Sequence, residues 1–202
     1  MPTVKVKMTT DKAALEAMIV KSCNAGLTMA GIVAVRHIRK SFAKNGKGNP
    51  SAPGTPPNRH NGVLFNSIAS TEAKELRASV YTSNVKYAPV HEYGGVIRGQ
   101  TGRLTIPLNR EAILLRERTV TLRSVPGLVY VPRRGRDPLL VLPINGGKGM
   151  KPYFVLKRSV RIPARPFMAP AFRNADNLAN MAKAFARASR AALQGAVIKE
   201  SA

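Results

Sequence analysis

The longest apolar pattern in the chain, over residues 11–44, most constrains what this sequence can fold into. Its stripe follows three- and four-residue spacing through Leu15, Met18, Ile19, Ser22, Gly26, Met29, Ile32, Val33 and Arg36. That spacing predicts one amphipathic helix. We expect Thr10 to cap its start and Asn45-Gly46 to end it. A helix of this length spans roughly 50 Å, which exceeds the diameter of a small domain, so we expect one end to project or to contact a neighbour.

A proline-rich segment separates this helix from the rest of the chain. Residues 45–60 contain Pro50, Pro53, Pro56 and Pro57. These prolines exclude a helix interior and a central strand, so the segment is expected to be a loop. After it, Asn61 is placed to cap a short helix that runs to Ile68.

Residues 76–160 are expected to form an antiparallel sheet with extended hairpins. Strand patterns occur at Leu76–Thr82, Leu104–Leu108, Leu139–Ile144 and Tyr153–Val160. Pro107 restricts the second of these to a sheet edge. A long hairpin is expected over residues 112–131, with its turn at Pro126-Gly127. Tyr87–Tyr93 is expected to be a helical turn closed by Gly94-Gly95.

A second helix is predicted over residues 166–194. Pro166 suits its first turn, Asn174 marks a break and Gly195 is a natural stop. The fold class is therefore α+β, with a long N-terminal helix and a C-terminal helix packed on an antiparallel β-sheet with extended hairpins. A chain of 202 residues suggests a single domain.

The charge is strongly positive and is spread along the whole chain. Lys and Arg number 33 and Asp and Glu number 10, which gives a net charge of +23. Residues 1–93 carry 13 basic and 5 acidic side chains, residues 94–147 carry 9 and 3, and residues 148–202 carry 11 and 2. Such a surface repels itself, so we expect an acidic or polyanionic neighbour.

The residue types that carry catalysis or bind metals are sparse. The ten acidic residues are dispersed, and Glu72 and Glu75 are interpreted as a solvated pair. His37, His60 and His91 lack metal-ligand spacing, and Cys23 alone forms neither a disulfide nor a zinc site. Residues 145–149 lack the spacing of a phosphate-binding loop. We therefore expect no enzyme activity, cofactor or metal.

Clusters of basic side chains are the stronger signal. The first follows the long helix, at Arg36, Arg39, Lys40, Lys44 and Lys47. The second lies between prolines, at Arg133, Arg134 and Arg136. Three interpretations stay open: a solvated surface, docking to acidic proteins, and contact with DNA. Interleaved aromatic residues and DNA-binding motifs are missing, so any DNA contact would be made to phosphates and would ignore sequence.

Three motifs occur in a fixed order. They are Pro53-Gly54-Thr55-Pro56-Pro57 with Asn61–Ile68, then Tyr87–Gly95 (YAPVHEYGG), then Ile162–Phe172 (IPARPFMAPAF). Their order and spacing resemble the tail-completion proteins of long-tailed bacteriophages, the group that includes minor tail protein Z and the virion-morphogenesis proteins. The resemblance covers roughly residues 10–195, and residues 110–150 are longer and more basic than in the shorter members of that group.

The resemblance implies a non-enzymatic virion protein that completes the head-proximal end of the tail and mediates head–tail joining. It implies a ring around the DNA channel, usually sixfold. The implied partners are other copies of the chain, the tail tube or tail terminator protein, the head connector and head-completion proteins, and genomic DNA in the channel. The implied location is the neck of the virion, after assembly in the host cytoplasm. The sequence has no apolar leader and no uncharged apolar stretch of membrane-spanning length, so no membrane contact is expected.

The resemblance also assigns roles to individual residues. Leu64 and Ile68 are implied to be core anchors. Tyr87, Glu92, Tyr93 and Gly94 are implied to form a structural turn. The entry to the C-terminal helix is implied at Pro163, Arg165, Pro166, Phe167 and Ala171. Two alternatives remain: a tail terminator ring that stops tube polymerisation, and a sequence-nonspecific DNA-binding protein.

Overall fold

The computed structural model describes residues 11–42, 50–59, 61–99, 102–118, 121–144, 146 and 148–200, with side chains through residue 195. The chain is α+β, with long helices at both ends and antiparallel strand pairs between them. It divides into two compact units. The helical unit combines the residues up to 94 with those from 163 onward, and the strand unit is residues 95–162. The expectation of a single domain stays a prediction.

The elements alternate along the chain. The helices are α1 (Lys12–Ser41), α2 (Val63–Ser67), α3 (Ala88–Tyr93), α4 (Arg110–Arg118), α5 (Ala169–Arg173) and α6 (Ala175–Glu200), with a short 3₁₀ turn at Leu122–Ser124. The strands are β1 (Ile68–Ser70), β2 (Val80–Thr82), β3 (Gly95–Arg98), β4 (Leu104–Pro107), β5 (Val129–Val131), β6 (Leu139–Ile144), β7 (Gly149–Lys157) and β8 (Ser159–Ile162).

Helix α1 is the predicted long helix, with a different cap. Asp11 is the N-cap, because its carboxylate accepts the Ala13 N–H at 3.0 Å. Thr10 and the expected stop at Asn45-Gly46 lie outside the described residues. The helix ends at Ser41, and the Phe42 N–H caps it by donating to the Arg39 carbonyl.

The buried face of α1 differs from the predicted stripe. Ser22 and Gly26 are buried as expected, but the later buried positions are Gly31, Ala34 and Ile38. Other members of the stripe are exposed, namely Leu15, Ile19, Met29, Ile32 and Arg36. The first half of α1 packs on α6 near Gly26, and the second half packs on β1 near Gly31. The buried face rotates because the packing partner changes along the helix.

The core of the helical unit joins segments that are far apart in sequence. Its members are Ile38, Phe42, Leu64, Ile68, Val85, Ala88, Phe167 and Ala171. The short antiparallel pair β1–β2 lies over it, with Ile68 opposite Thr82. The N-cap of α2 is Gly62, so the predicted cap at Asn61 is wrong by one residue, although the Asn61 side-chain oxygen accepts the Val63 N–H at 3.2 Å.

The strand predicted over Leu76–Thr82 is wrong in its first half. Only Val80–Thr82 is extended. Glu75 and Leu76 adopt left-handed φ angles of 51° and 58° in a tight turn, and Lys74 and Arg77 pair across it. The alternation of apolar and polar residues therefore began within a turn, and the strand itself has three residues.

The C-terminal helix begins later and ends later than predicted. Helix α5 starts at Ala169 with Pro170 in its first turn, so the predicted opening at Pro166 is wrong. The break at Asn174 is confirmed, and the Asn174 side chain caps α6 by accepting the Asn177 N–H at 2.9 Å. Helix α6 continues through Gly195, where a Cβ would meet nothing within 4 Å. The predicted stop there is wrong.

The strand unit holds two of the three antiparallel sheets of the described chain, where the sequence predicted one sheet over 76–160. One has the order β4-β7-β6-β5, and the other pairs β3 with β8. Strand β4 carries Pro107 at a sheet edge, as predicted. The predicted strand Tyr153–Val160 is divided between β7 and β8 at Arg158.

The long hairpin predicted over residues 112–131 is wrong. Helix α4 and the 3₁₀ turn occupy most of that range, and only Val129–Val131 is a strand. Asn109 caps α4, since its side-chain oxygen accepts the Ala112 N–H at 2.8 Å. The segment is rich in Glu, Ala, Leu and Arg, and these strong helix formers outweigh its loose alternation.

Helix α1 has one further property. By length and composition alone it would also qualify as a membrane-spanning helix. Core helices of soluble proteins share both properties, so the absence of membrane contact stays a prediction.

Candidate docking pocket and basic surfaces

The three sequence motifs meet in the helical unit, although more than ninety residues separate the end of the first, Ile68, from the start of the last, Ile162. The Gly54 N–H donates to the Ala164 carbonyl at 2.8 Å. The Arg165 N–H donates to the His91 carbonyl at 2.6 Å, and Arg165 Nε donates to the Ser51 carbonyl at 2.8 Å. Arg165 therefore ties the proline loop, the His-Glu turn and the last motif together.

Glu92 makes the second set of contacts between motifs. Its carboxylate is 8% exposed and accepts three backbone N–H groups, from Phe167 at 2.8 Å, Met168 at 3.0 Å and Ala169 at 2.9 Å. These donors precede or open α5, where N–H groups have no intrahelical partner. The positive end of the helix dipole also stabilises a carboxylate at this position. Glu92 thus fixes where α5 begins, which explains why Pro166 does not open the helix.

The other motif residues have different surroundings. Leu64, Ile68, Phe167 and Ala171 are buried in the core. Gly94 closes α3 with a φ of 71°. Tyr87 and Tyr93 are exposed, and the Tyr93 side chain is 81% exposed. Tyr93 therefore contributes backbone to the turn, and its ring is free for an outward contact. Pro163 is exposed and Pro166 is half-buried.

The motifs border a pocket of about 440 Å³. The proline loop, the start of α2, the His-Glu turn and the end of α1 surround it. Its lining residues are Phe42, Pro50, Ser51, Pro57, Asn58, Arg59, Asn61, Gly62, Leu64, Phe65, Tyr87, His91 and Arg165. We call it the motif pocket. It combines an apolar wall with the cationic side chains of Arg59 and Arg165.

Two buried polar atoms at the motif pocket have no hydrogen-bond partner in the described chain. They are Ser51 Oγ and His91 Nδ1. Burial lowers the pKa of His91, and the positive charge of Arg165 lowers it further. The imidazole is therefore neutral at pH 7, and its ring packs edge-on against Tyr87 at 5.6 Å between centroids. From the sequence, His91 was predicted only to be part of a structural turn.

Arg59 and Arg39 both approach the ring of Phe65. The guanidinium carbons lie 4.4 Å and 5.5 Å from its centroid. Arg39 also donates to the Ile68 carbonyl at 2.8 Å, which ties α1 to β1. Arg39 was a candidate for partner contact, but in the structure it is half-buried and has a structural role. Arg59 is exposed, and no sequence pattern had singled it out.

The remaining basic candidates are distributed over both units. Arg36 and Lys40 are exposed on α1, while Lys44 and Lys47 lie outside the described residues. Arg133 donates from its guanidinium to the Asp137 carbonyl and so closes the loop between β5 and β6. Arg134 and Arg136 project from that loop into solvent.

Three further arginines line an open groove of about 600 Å³ in the strand unit. They are Arg98, Arg103 and Arg116, and we call this the arginine groove. Arg103 donates to the Leu156 carbonyl at 3.3 Å, and Arg116 donates to the Thr105 carbonyl at 3.2 Å. The sequence missed this groove because α4, which carries Arg116, was interpreted as part of a hairpin.

Candidate metal-binding residues do not converge in the part of the chain that the structure describes. No group of three His, Cys, Asp or Glu side chains is placed to hold a metal ion among those residues. Glu72 and Glu75 are exposed, and Cys23 is half-buried within α1.

Comparison with known proteins gives no match. No family model, no curated protein and no solved structure matches this chain.

Proposed function

We propose that this protein is a structural virion component of a long-tailed bacteriophage. Its copies form a ring, sixfold as is usual in the group it resembles, at the head-proximal end of the tail. The ring surrounds the DNA channel and joins the tail tube to the connector of the filled head. No bond is made or broken in this role.

The observation that carries this proposal is the meeting of the three motifs through Arg165 and Glu92. The guanidinium and the carboxylate, which would be the obvious chemical groups of these motifs, bond to backbone atoms. These bonds, from Arg165 Nε and to both oxygens of Glu92, hold the three motifs in one shape. The motifs that suggested the tail-completion group therefore support a rigid scaffold, as that role requires.

The charge gives a second line of support. A surface with a net charge of +23 favours acidic protein neighbours and a channel that carries DNA. The exposed arginines lie in loops and in an open groove, and such positions on a scaffold commonly carry recognition.

Deletion of the gene in the phage that encodes it tests the proposal. We expect electron micrographs to show filled heads and separate tails of normal length, and expression of the wild-type chain should restore joining. Overlong tails would instead identify a terminator that stops tube polymerisation. Normal, joined particles would overturn both roles.

The arginine groove favours a second candidate, a sequence-nonspecific DNA-binding protein. Such a protein would bind duplex DNA as a monomer, with a log–log salt slope of about −0.9 per phosphate contact. Arg98→Gln should then reduce the slope by about one, and Arg187→Gln on α6 provides the matched charge change outside the groove. Weak binding of the monomer at about 150 mM salt, with equal effects of both substitutions, would exclude this candidate.

A further inference from the structure

We propose that the motif pocket binds the carboxylate side chain of an aspartate or glutamate on a protein partner. The inference goes beyond the proposed function, because it would hold for whichever neighbour docks against the helical unit. The pocket's cations, its unpartnered polar atoms and its shape all favour such a ligand.

Two cationic side chains line the pocket, Arg59 and Arg165. Arg59 is exposed, and its guanidinium is anchored over the Phe65 ring at 4.4 Å. Arg165 is half-buried and uses Nε for the Ser51 carbonyl. In the described chain its terminal nitrogens have no acceptor. Guanidinium groups bind carboxylates with paired, charge-assisted hydrogen bonds, and no carboxylate lines this pocket within the described residues.

The unpartnered atoms point to the same kind of ligand. Ser51 Oγ and His91 Nδ1 are buried at the pocket without hydrogen bonds among the described residues. Buried polar groups are normally paired, so an exception suggests a missing partner. A carboxylate provides two oxygens that accept several hydrogen bonds at once. A serine hydroxyl, an imidazole N–H and a guanidinium can each donate to such a carboxylate.

The shape favours a protein side chain over a phosphate of duplex DNA. The pocket is recessed, and much of its wall is apolar, from Phe42, Leu64, Phe65 and Pro57. Such a wall suits the methylene stem of an acidic residue. The phosphates of a duplex lie on the outside of a wide rod and are reached by projecting cations, such as Arg134 and Arg136 on their exposed loop.

The test uses the full chain and the ring resonances of its 3 histidines in NMR spectra. His91 is assigned with His91→Gln. The probe is a blocked hexapeptide of alanines with two adjacent glutamates, and its control has glutamines instead. We expect the glutamate peptide to shift the His91 resonances and to raise the pKa of His91, because a bound carboxylate stabilises the imidazolium. The glutamine peptide should leave both unchanged.

Matched charge substitutions locate the binding. Arg59→Gln should weaken binding of the glutamate peptide about tenfold, as expected for the loss of one charge-assisted hydrogen bond. Arg134→Gln removes the same charge outside the pocket and should weaken binding less than twofold. An unchanged melting temperature shows that each variant is folded. Equal losses in the two variants would overturn the proposal by indicating general charge attraction.

Two further probes separate the sources of an anion. Inorganic phosphate and a short DNA duplex are added at the same concentrations of charge. We expect neither to shift His91 as far as the glutamate peptide does. An equal or larger shift with the duplex would overturn the proposal in favour of nucleic acid. An equal shift with phosphate would overturn it by showing that the pocket accepts any small anion. Failure of the glutamate peptide to shift His91 at millimolar concentration would also overturn it.

Discussion

Different kinds of contact stabilise the interior of the helical unit and the interior of the strand unit. The core of the helical unit joins residues from Ile38 to Ala171, so it depends on contacts between distant parts of the chain. The strand unit combines the β5–β6 and β6–β7 pairs, formed by neighbouring segments, with the longer-range pairs β4–β7 and β3–β8. Its buried apolar side chains are Ala112, Val125, Val141, Phe154 and Val155.

The two units also differ in the density of their positive charge. The strand unit, residues 95–162, carries 14 basic and 3 acidic side chains, whereas the helical unit carries 19 and 7 on about twice as many residues. The unit with the smaller core therefore has the denser positive charge. The larger apolar core and the denser positive charge are therefore found in different units.

The largest expected effect comes from removing one core phenylalanine in each unit. Phe167→Ala and Phe154→Ala each remove a side chain that is almost fully buried, so each should cost about 3–5 kcal/mol of stability. Hydrogen exchange should show Phe167→Ala loosening the amides of the helical unit and Phe154→Ala loosening those of the strand unit. If either substitution loosens both units equally, the two do not unfold separately.

A smaller loss is expected from Glu92→Gln. The amide keeps the shape of the side chain, but it loses the charge and one acceptor oxygen, so some of the three N–H donors at α5 are left unpaired. We expect a loss of about 2 kcal/mol in the free energy of unfolding. Glu72→Gln on the exposed loop is the control and should change it by less than about 0.5 kcal/mol. Equal effects in chemical denaturation would show that the Glu92 contacts do not stabilise the helical unit.

Gly26→Ala tests the close packing of α1 on α6. A Cβ at Gly26 would lie 2.2 Å from Ser189 Oγ and 2.6 Å from the Phe185 ring. We expect a net loss of about 1–2 kcal/mol from overpacking, although alanine is the better helix former. Gly195→Ala on α6 has open space and should instead stabilise the helix by up to about 1 kcal/mol. Thermal melts of both variants measure the contrast, and a more stable Gly26→Ala would contradict the close approach.

The smallest effect concerns an exposed cluster in the strand unit. Lys151 Nζ and the Tyr153 hydroxyl each donate to the Glu111 carboxylate at 2.7 Å, which ties α4 to β7. The hydrogen bond from Lys151 and then that from Tyr153 lower the pKa of Glu111. The hydrogen bond to Glu111 raises the pKa of Lys151.

These directions set the pH window of the cluster. A lowered carboxyl pKa gives stabilisation that is present above the ordinary value and is lost as the pH falls through the folded pKa. A raised lysine pKa gives stabilisation that is lost as the pH rises through its folded value. The protection of the α4 amides, after correction for the intrinsic pH dependence of exchange, should therefore fall in acid and again in strong alkali. Glu111→Gln should remove this pH dependence and Glu117→Gln should not.

Local signals in the sequence predicted much of the fold. Pro107 indicated an edge strand and Asn174 indicated a helix break, and both follow from the chemistry of one residue. The same kind of signal failed over residues 112–131, where loose alternation competed with strong helix formers. The stripe of α1 was right only where one partner, α6, packs against it.

The candidate site was less predictable because it depends on distant partners. Glu92 was expected in a structural turn, but its bonding partners lie 75 to 77 residues further along the chain. The pairing of Arg165 with Ser51 spans 114 residues. No local pattern encodes such pairs. The arginine groove was missed for a different reason, because the segment of α4 was interpreted as part of a hairpin.

The pairing of Gly95 with Ile162 in β3 and β8 has a consequence for how such a chain can evolve. Opposite residues in an antiparallel pair are only about 5 Å apart, so the strand unit leaves and returns to the chain at nearly one place. A segment with adjoining ends can grow, shrink or be exchanged while the flanking turn and the following helix keep their positions. Natural selection can therefore change the charged strand unit while the helical unit keeps its structure.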